Sequence, residues 1–153
     1  MSDSFSIELA VSTKDVEAVK TLFMEYADWL DDDLCFQGYD EEIATFPSFY
    51  LFLLIAKQGE SIAGGVGLKD LGEGICEMKR LYVPDAFKGK GLGRRLTEHL
   101  IEEAQTRGFT SMRLDTLPKL EAAIALYRKL GFEEIPAYYH NPIEGVVYFE
   151  KAL

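Results

Sequence analysis

The chain is poor in the residues that build disulfide frameworks, metal centres and membrane spans. Its 153 residues include two cysteines, two histidines and one tryptophan. Cys35 and Cys76 lie far apart with no CxxC, so neither a disulfide scaffold nor a thiol redox motif is expected. His99 and His140 form no pair at ligand spacing, so no metal site is expected. The longest apolar stretch, residues 50–56, is far too short to span a bilayer. The N-terminus has no basic start followed by an apolar run, which argues against a signal peptide. Together these absences predict a reduced, cytoplasmic setting without a membrane partner, the cysteines serving as buried filler. Positive charge is also scarce. Sixteen Lys and Arg against 26 Asp and Glu leave a formal net charge of −10, which argues against general nucleic-acid binding.

What basic charge there is lies in one place. Lys79, Arg80, Lys88, Lys90, Arg94 and Arg95 fall within 17 residues. A local positive patch on an acidic protein suits one anionic small molecule better than a polymer. Three glycines interleave with the patch in Lys88-Gly89-Lys90-Gly91-Leu92-Gly93-Arg94-Arg95. Glycine lets backbone approach a ligand without Cβ obstruction. The stretch follows a strand-like run, residues 78–83. It precedes an amphipathic run with Leu92, Leu96, Leu100, Ile101 and Ala104 on one face. Strand, glycine turn and helix is the arrangement in which free N–H groups at a helix N-terminus meet an anion. The expected ligand is phosphorylated.

The length suits one domain, residues 1–153, with a sizeable core. Residues 5–11 alternate as a strand with one apolar face. Ser12-Thr13-Lys14-Asp15 reads as a capping box. It opens a helix whose apolar face is Val16, Val19, Phe23, Tyr26 and Leu30, stopped at Asp31-Asp32-Asp33. A short helix is expected near residues 39–45. Strands over 49–56, 61–68 and 76–83 form a meander through turns at Gly59 and at Gly72-Glu73-Gly74. Helices over 92–107 and 119–130 end at Gly108 and Gly131. Further strands are expected at 110–114, 132–135 and 146–150. With no internal repeat or linker, the fold class is α+β: a mixed sheet flanked by helices.

Three phosphate-binding designs compete for the glycine stretch. A P-loop requires GxxxxGK[ST], which is absent. A dinucleotide fingerprint requires GxGxxG. The frame Gly89-x-Gly91 reaches Arg94 where the third glycine belongs, and Gly91-x-Gly93 reaches Leu96. The third design fits. Lys88-Gly89-Lys90-Gly91-Leu92-Gly93 resembles the (Gln/Arg)-x-x-Gly-x-(Gly/Ala) motif of the GNAT superfamily of acyl-CoA-dependent N-acyltransferases. Glu77-Met78-Lys79-Arg80-Leu81-Tyr82-Val83-Pro84 is similar to that family's fourth strand. Ala123-Ile124-Ala125-Leu126-Tyr127-Arg128-Lys129-Leu130-Gly131-Phe132 is similar to its second cofactor motif, which ends in Tyr-x-x-x-Gly-Phe. The resemblance covers nearly the whole chain. Two departures stand out: Lys88 replaces the usual Gln or Arg, and Leu120 stands where many members have a pantetheine-contacting Asn.

The resemblance implies a GNAT fold with a mostly antiparallel central sheet, acetyl-CoA as co-substrate and no metal. It assigns Lys88, Gly89, Lys90, Gly91, Gly93 and Arg94 to the CoA pyrophosphate. The backbone at Leu81 and Val83 would take the pantetheine arm. Lys90 and Arg95 are both open as partners for the 3′-phosphate. The reaction is direct attack of an amine on a thioester, requiring a base, a donor to the carbonyl oxygen and an acid for the thiolate. Tyr127 matches the family's general acid. Glu77 is the first candidate base, with Asp115 its rival. Strand alternation puts Glu77, Lys79 and Leu81 on one face, and Met78, Arg80 and Tyr82 on the other. Asp115, Tyr138, Tyr139, Asn141 and Tyr26 are candidate acceptor-site residues, with Phe36-Gln37 and Asp31-Asp32-Asp33 as further borders. The implied function is N-acetyl transfer to the primary amine of a small molecule or amino acid. Two alternatives stay open: a non-catalytic acyl-CoA sensor, and a protein-modifying acetyltransferase. Monomer and homodimer are both compatible with the sequence.

Overall fold

The computed structural model describes residues 4–30, 39–139 and 144–153. In chain order the elements are β1 (Ser6–Leu9), α1 (Thr13–Leu30), α2 (Tyr39–Ala44), β2 (Phe52–Gln58), β3 (Ser61–Gly72) and β4 (Ile75–Tyr82). Then come α3 (Leu92–Thr106), β5 (Ser111–Thr116), α4 (Glu121–Lys129), β6 (Glu133–Ile135) and β7 (Val147–Ala152). The strands form one sheet in the order β1-β2-β3-β4-β5-β7-β6. Every pairing is antiparallel except that of β4 with β5. This is the mixed, helix-flanked sheet that the sequence predicts.

Both faces of the sheet are covered, which is why β2 reads as an unbroken apolar run rather than an alternating one. Leu54 and Ala56 face α3 and α4, packing with Leu92, Leu96, Leu100 and Tyr127. Leu53 and Ile55 face α1, packing with Val19, Leu22 and Phe23. The start of α1 departs from expectation. Ser12 Oγ accepts the Asp15 N–H at 3.2 Å, but the Asp15 carboxylate turns to Lys57 at 2.9 Å. Only half of the capping box forms, because an ammonium is the stronger partner. The first strand is also shorter than expected: β1 is an edge strand, and Val11 beyond it is 77% exposed.

Two irregularities in β4 shape the site. First, its parallel pairing with β5 ends at Glu77 and Arg113. The strands part beyond that pair, opening a cleft between Met78–Leu81 and Leu114–Thr116 (residues 78–81 and 114–116). Second, Gly65 pairs with Tyr82 while Gly67 pairs with Lys79, so β4 carries one extra residue, a β-bulge. Arg80 takes a φ of +63° there, which costs a non-glycine residue about 1–2 kcal/mol. The bulge overturns the alternation expected from the sequence. Leu81 packs with Met78 on the α3 face instead of joining Glu77 and Lys79. Arg80 leaves Met78 and reaches Glu42 of α2 on the opposite face.

Candidate active site

The glycine turn lies between a short 3₁₀ turn, Asp85–Phe87, and α3. Gly89 and Gly91 adopt φ of +80° and +77°, a region that other residues enter only with strain. Gly91 is the N-cap of α3, with no side-chain cap and no acidic residue in the first turn. The first helical hydrogen bond is from Arg95 N–H to the Gly91 carbonyl, at 3.1 Å. The N–H groups of the first turn therefore face outward without a competing carboxylate, as anion binding at a helix N-terminus requires. A Cβ placed on Gly89 or Gly91 would meet no protein atom within 4 Å. The open side of the turn is thus free for a ligand.

From this turn a groove of about 330 Å³ runs toward the parted strands. Leu81, Val83, Lys88, Gly89, Gly91 and Gly93 line it, together with Ala123 and Leu126 of α4. Lys90 and Arg94, assigned to the same ligand by the resemblance, are not among its lining residues; Arg94 pairs with Glu98 at 3.3 Å. Arg95 donates to the Phe5 carbonyl at 3.3 Å. An aromatic wall of which the sequence reading named only Tyr26 closes the groove: Tyr26 stacks on Trp29 at 6.2 Å, both rings tilt against Tyr82 at 5.6 and 6.3 Å, and the Lys88 ammonium lies 4.8 Å from the centre of the Trp29 ring. The available signal was Trp29 falling three residues after Tyr26, one turn along α1.

Tyr26, Leu81 and Leu120 also line the cleft between the strands, so groove and cleft meet there. The cleft is narrow, about 40 Å³, and its further lining includes Lys79, Asp115, Thr116, Leu117 and Tyr127. Tyr127 is buried against Phe132 and Phe149. Burial pushes its pKa well above the ordinary phenol value, with Tyr26 and Asp115 adding to the shift. Burial likewise holds Tyr26 up at about 12. Both phenols stay protonated and remain O–H donors. Leu120 packs with Leu30 and Leu117 and supplies no polar atom where the family's Asn would stand.

The candidate bases sit on the α1 face of the sheet. Glu77 is buried at the point where the strands part, and its Oε2 accepts the Tyr138 hydroxyl at 2.6 Å. Asp115 accepts the Tyr139 hydroxyl and lines the cleft with Tyr127; Glu77 does not line it. Tyr138, Tyr139 and Tyr148 form a mutual edge-to-face cluster with centroids 5.3–5.6 Å apart. Arg113 lies over the Tyr138 ring and pairs with Glu150 at 2.8 Å. Behind the cleft, Arg80 donates to Glu42 at 2.9 Å, and Tyr50 donates to the other oxygen of Glu42. That fully buried cluster was not foreseen, because its partners are 38 and 8 residues apart. Asn141, Phe36-Gln37 and Asp31-Asp32-Asp33 lie outside the described residues. Among the described residues no three His, Cys, Asp or Glu side chains group as metal ligands, and no helix is long and apolar enough to cross a membrane.

A parted pair of parallel strands, entered from a glycine turn and holding a buried tyrosine, has the layout of a CoA-dependent acyltransferase. The acetyltransferase (GNAT) family model matches residues 16–132, and the chain belongs to that family of acetyl-CoA-dependent N-acetyltransferases. An uncharacterized N-acetyltransferase of Schizosaccharomyces pombe is 36% identical over 151 residues, 95% of this chain and 93% of the relative. The [ribosomal protein bS18]-alanine N-acetyltransferase of Salmonella typhimurium is 53% identical over 51 residues, 33% of this chain and 34% of the relative. Among solved structures, a GNAT acetyltransferase of Staphylococcus aureus gives a TM-score of 0.79 at 17% identity, covering 97% of this chain and 99% of that one. A Bacillus subtilis acetyltransferase solved in complex with CoA gives 0.72 at 19% identity, covering 98% and 99%. At these identities the two structures show likeness of fold alone.

Proposed function

We propose that the protein transfers an acetyl group from acetyl-CoA to the primary amine of a small molecule or amino acid, by direct attack in a ternary complex. The observation that carries this reading is the continuity of groove and cleft through Tyr26, Leu81 and Leu120. A pyrophosphate held on the N–H groups of α3 leads the pantetheine arm past Val83 and Leu81, whose strand lacks a partner beyond Glu77 on that side. The thioester then arrives at the mouth of the cleft that Tyr127 and Asp115 line. The amine lone pair attacks the thioester carbonyl carbon. As the C–S bond breaks, the thiolate takes the Tyr127 proton, and a carboxylate takes the ammonium proton. Asp115 reaches the cleft directly, whereas Glu77, one step deeper, acts through water.

The test is release of free CoA on incubation with acetyl-CoA and a panel of primary amines, alongside thermal unfolding with and without acetyl-CoA. Turnover with a thermal shift supports the reading. A shift without turnover on any amine supports a sensor instead. Absence of any shift removes the donor assignment.

A further inference from the structure

Lys79 stands apart from the other charged groups around the cleft. Its side chain is only 7% exposed, and its nearest carboxylate oxygen, Glu77 Oε1, is 3.7 Å away. That is too long for a hydrogen bond, and the ammonium makes none with any described residue. Its neighbours are served otherwise. Arg80 is forked onto Glu42. Glu77 accepts from Tyr138, and Asp115 from Tyr139. A lysine ammonium has three donors, and no buried side-chain nitrogen among the described residues lacks a partner, so the Lys79 ammonium, which has no protein hydrogen bond, keeps solvent-accessible surface. Desolvation lowers its pKa from the ordinary value, with Arg80 pressing the same way and Glu77, Asp115 and Glu42 opposing. An anion reaching Lys79 would exchange solvent on that ammonium for a charge-assisted hydrogen bond.

We propose that the acceptor amine carries a carboxylate and that Lys79 holds it. This rests on the acetyl-transfer reading above, and it narrows the acceptor to amino-acid-like molecules. Lys79 and Asp115 line the same narrow cleft from opposite strands. An ammonium facing Asp115 and a carboxylate facing Lys79 therefore span one small space, as the two groups of an amino acid do. At about 40 Å³ the cleft takes only the carboxylate end of the acceptor; the rest of the acceptor and the thioester lie at its mouth, where Tyr26, Leu81 and Leu120 join it to the groove.

The experiment measures kcat and KM with acetyl-CoA for amine pairs that differ only in the carboxylate: phenylalanine and phenethylamine, alanine and ethylamine, lysine and cadaverine. The acid member of at least one pair is expected to have the higher kcat/KM, by about ten- to a hundred-fold. Lys79→Met should bring the two members together by raising KM for the acid more than it lowers kcat, and Lys79→Arg should recover part of the difference. Equal kcat/KM within every pair overturns the proposal, as does a Lys79→Met variant that lowers kcat alike for both members. If no amine is turned over, the acetyl-transfer reading fails but the anchor is still tested. Calorimetric binding of 3-phenylpropionate in the presence of CoA, weakened in Lys79→Met or in the milder Lys79→Gln, supports it. No binding, or equal binding in wild type and variants, overturns it. Thermal unfolding establishes that each variant is folded.

Discussion

The groove beside the glycine turn and the polar surface behind the cleft are built from different materials. The groove uses backbone: outward N–H groups of α3 and the unpaired side of β4, walled by apolar side chains such as Val83 and Leu126. The polar surface uses side chains from distant parts of the chain. Glu42 meets Arg80 across 38 residues, Tyr138 meets Glu77 across 61, and Tyr139 meets Asp115 across 24. On the proposed function, the backbone site recognises what acyl-CoA donors share, a phosphate and an extended arm. A side-chain site recognises what distinguishes them. On that reading the donor is set by the fold, while the acceptor is set by side chains grafted on it.

The comparison predicts that variants on the two sides fail in different ways. The largest effect should come at their junction. Tyr127→Phe removes the hydroxyl and keeps the ring among Phe132 and Phe149. Turnover should fall about a hundred- to ten-thousand-fold, with acetyl-CoA affinity unchanged by calorimetry. Unchanged turnover would place the acid elsewhere. Burial raises the Tyr127 pKa above its ordinary value of 10.0, so the phenol keeps its proton as pH rises through 10. The alkaline limb of the kcat profile should therefore not break there on account of this residue.

The next effect lies behind the cleft. Arg80→Met leaves the Glu42 carboxylate buried without its cation, and breaking such a pair typically costs about 3–5 kcal/mol. Chemical denaturation should show a loss of that order. The bulge should change as well, since the Glu42 contact helps to balance a φ of +63° at Arg80. A stability close to wild type would mean that the cluster is dispensable to the bulge.

A smaller contrast separates the two candidate bases. Asp115→Asn should lower kcat more than Glu77→Gln does, because Asp115 lines the cleft and Glu77 lies beneath Tyr138. The reverse order, read from initial rates at saturating amine, would make Glu77, acting through water, the principal base.

The difference in material also explains what was legible in the sequence. The glycine turn is local: its spacing, the preceding strand and the following helix stand in one stretch of about 30 residues, so both the family and the boundaries of α3 could be read. The order of elements was legible for the same reason, through apolar periodicity. The bulge was not. One extra residue in β4 is visible only when its partner strand is in place, and it moved Leu81 and Arg80 to faces opposite those expected. Glu42 carried no signal either. It lies in an acidic helix, Tyr39–Ala44, where a solvated carboxylate is the ordinary expectation, yet it is fully buried. Lys79 could be noted as a neighbour of Glu77, but whether the pair is close enough to satisfy the ammonium is a matter of tenths of an ångström.

The finest test of the contrast is Gly93→Ala, which should divide folding from ligand approach. Gly93 is the second residue of α3, and a Cβ there would meet only Leu126 Cδ2 at 3.8 Å, an ordinary contact. The protein therefore has room for the methyl group, and alanine is favoured over glycine in a helix by up to about 1 kcal/mol. Thermal stability should stay level or rise slightly. If the first turn of α3 holds the pyrophosphate through its backbone, the same methyl group intrudes on the ligand and acetyl-CoA affinity falls. Raised stability with weakened acetyl-CoA binding is the signature of a glycine kept for its ligand. Raised stability with unchanged binding would move the phosphates toward Gly89 and Gly91, where positive φ rather than ligand approach is reason enough for glycine.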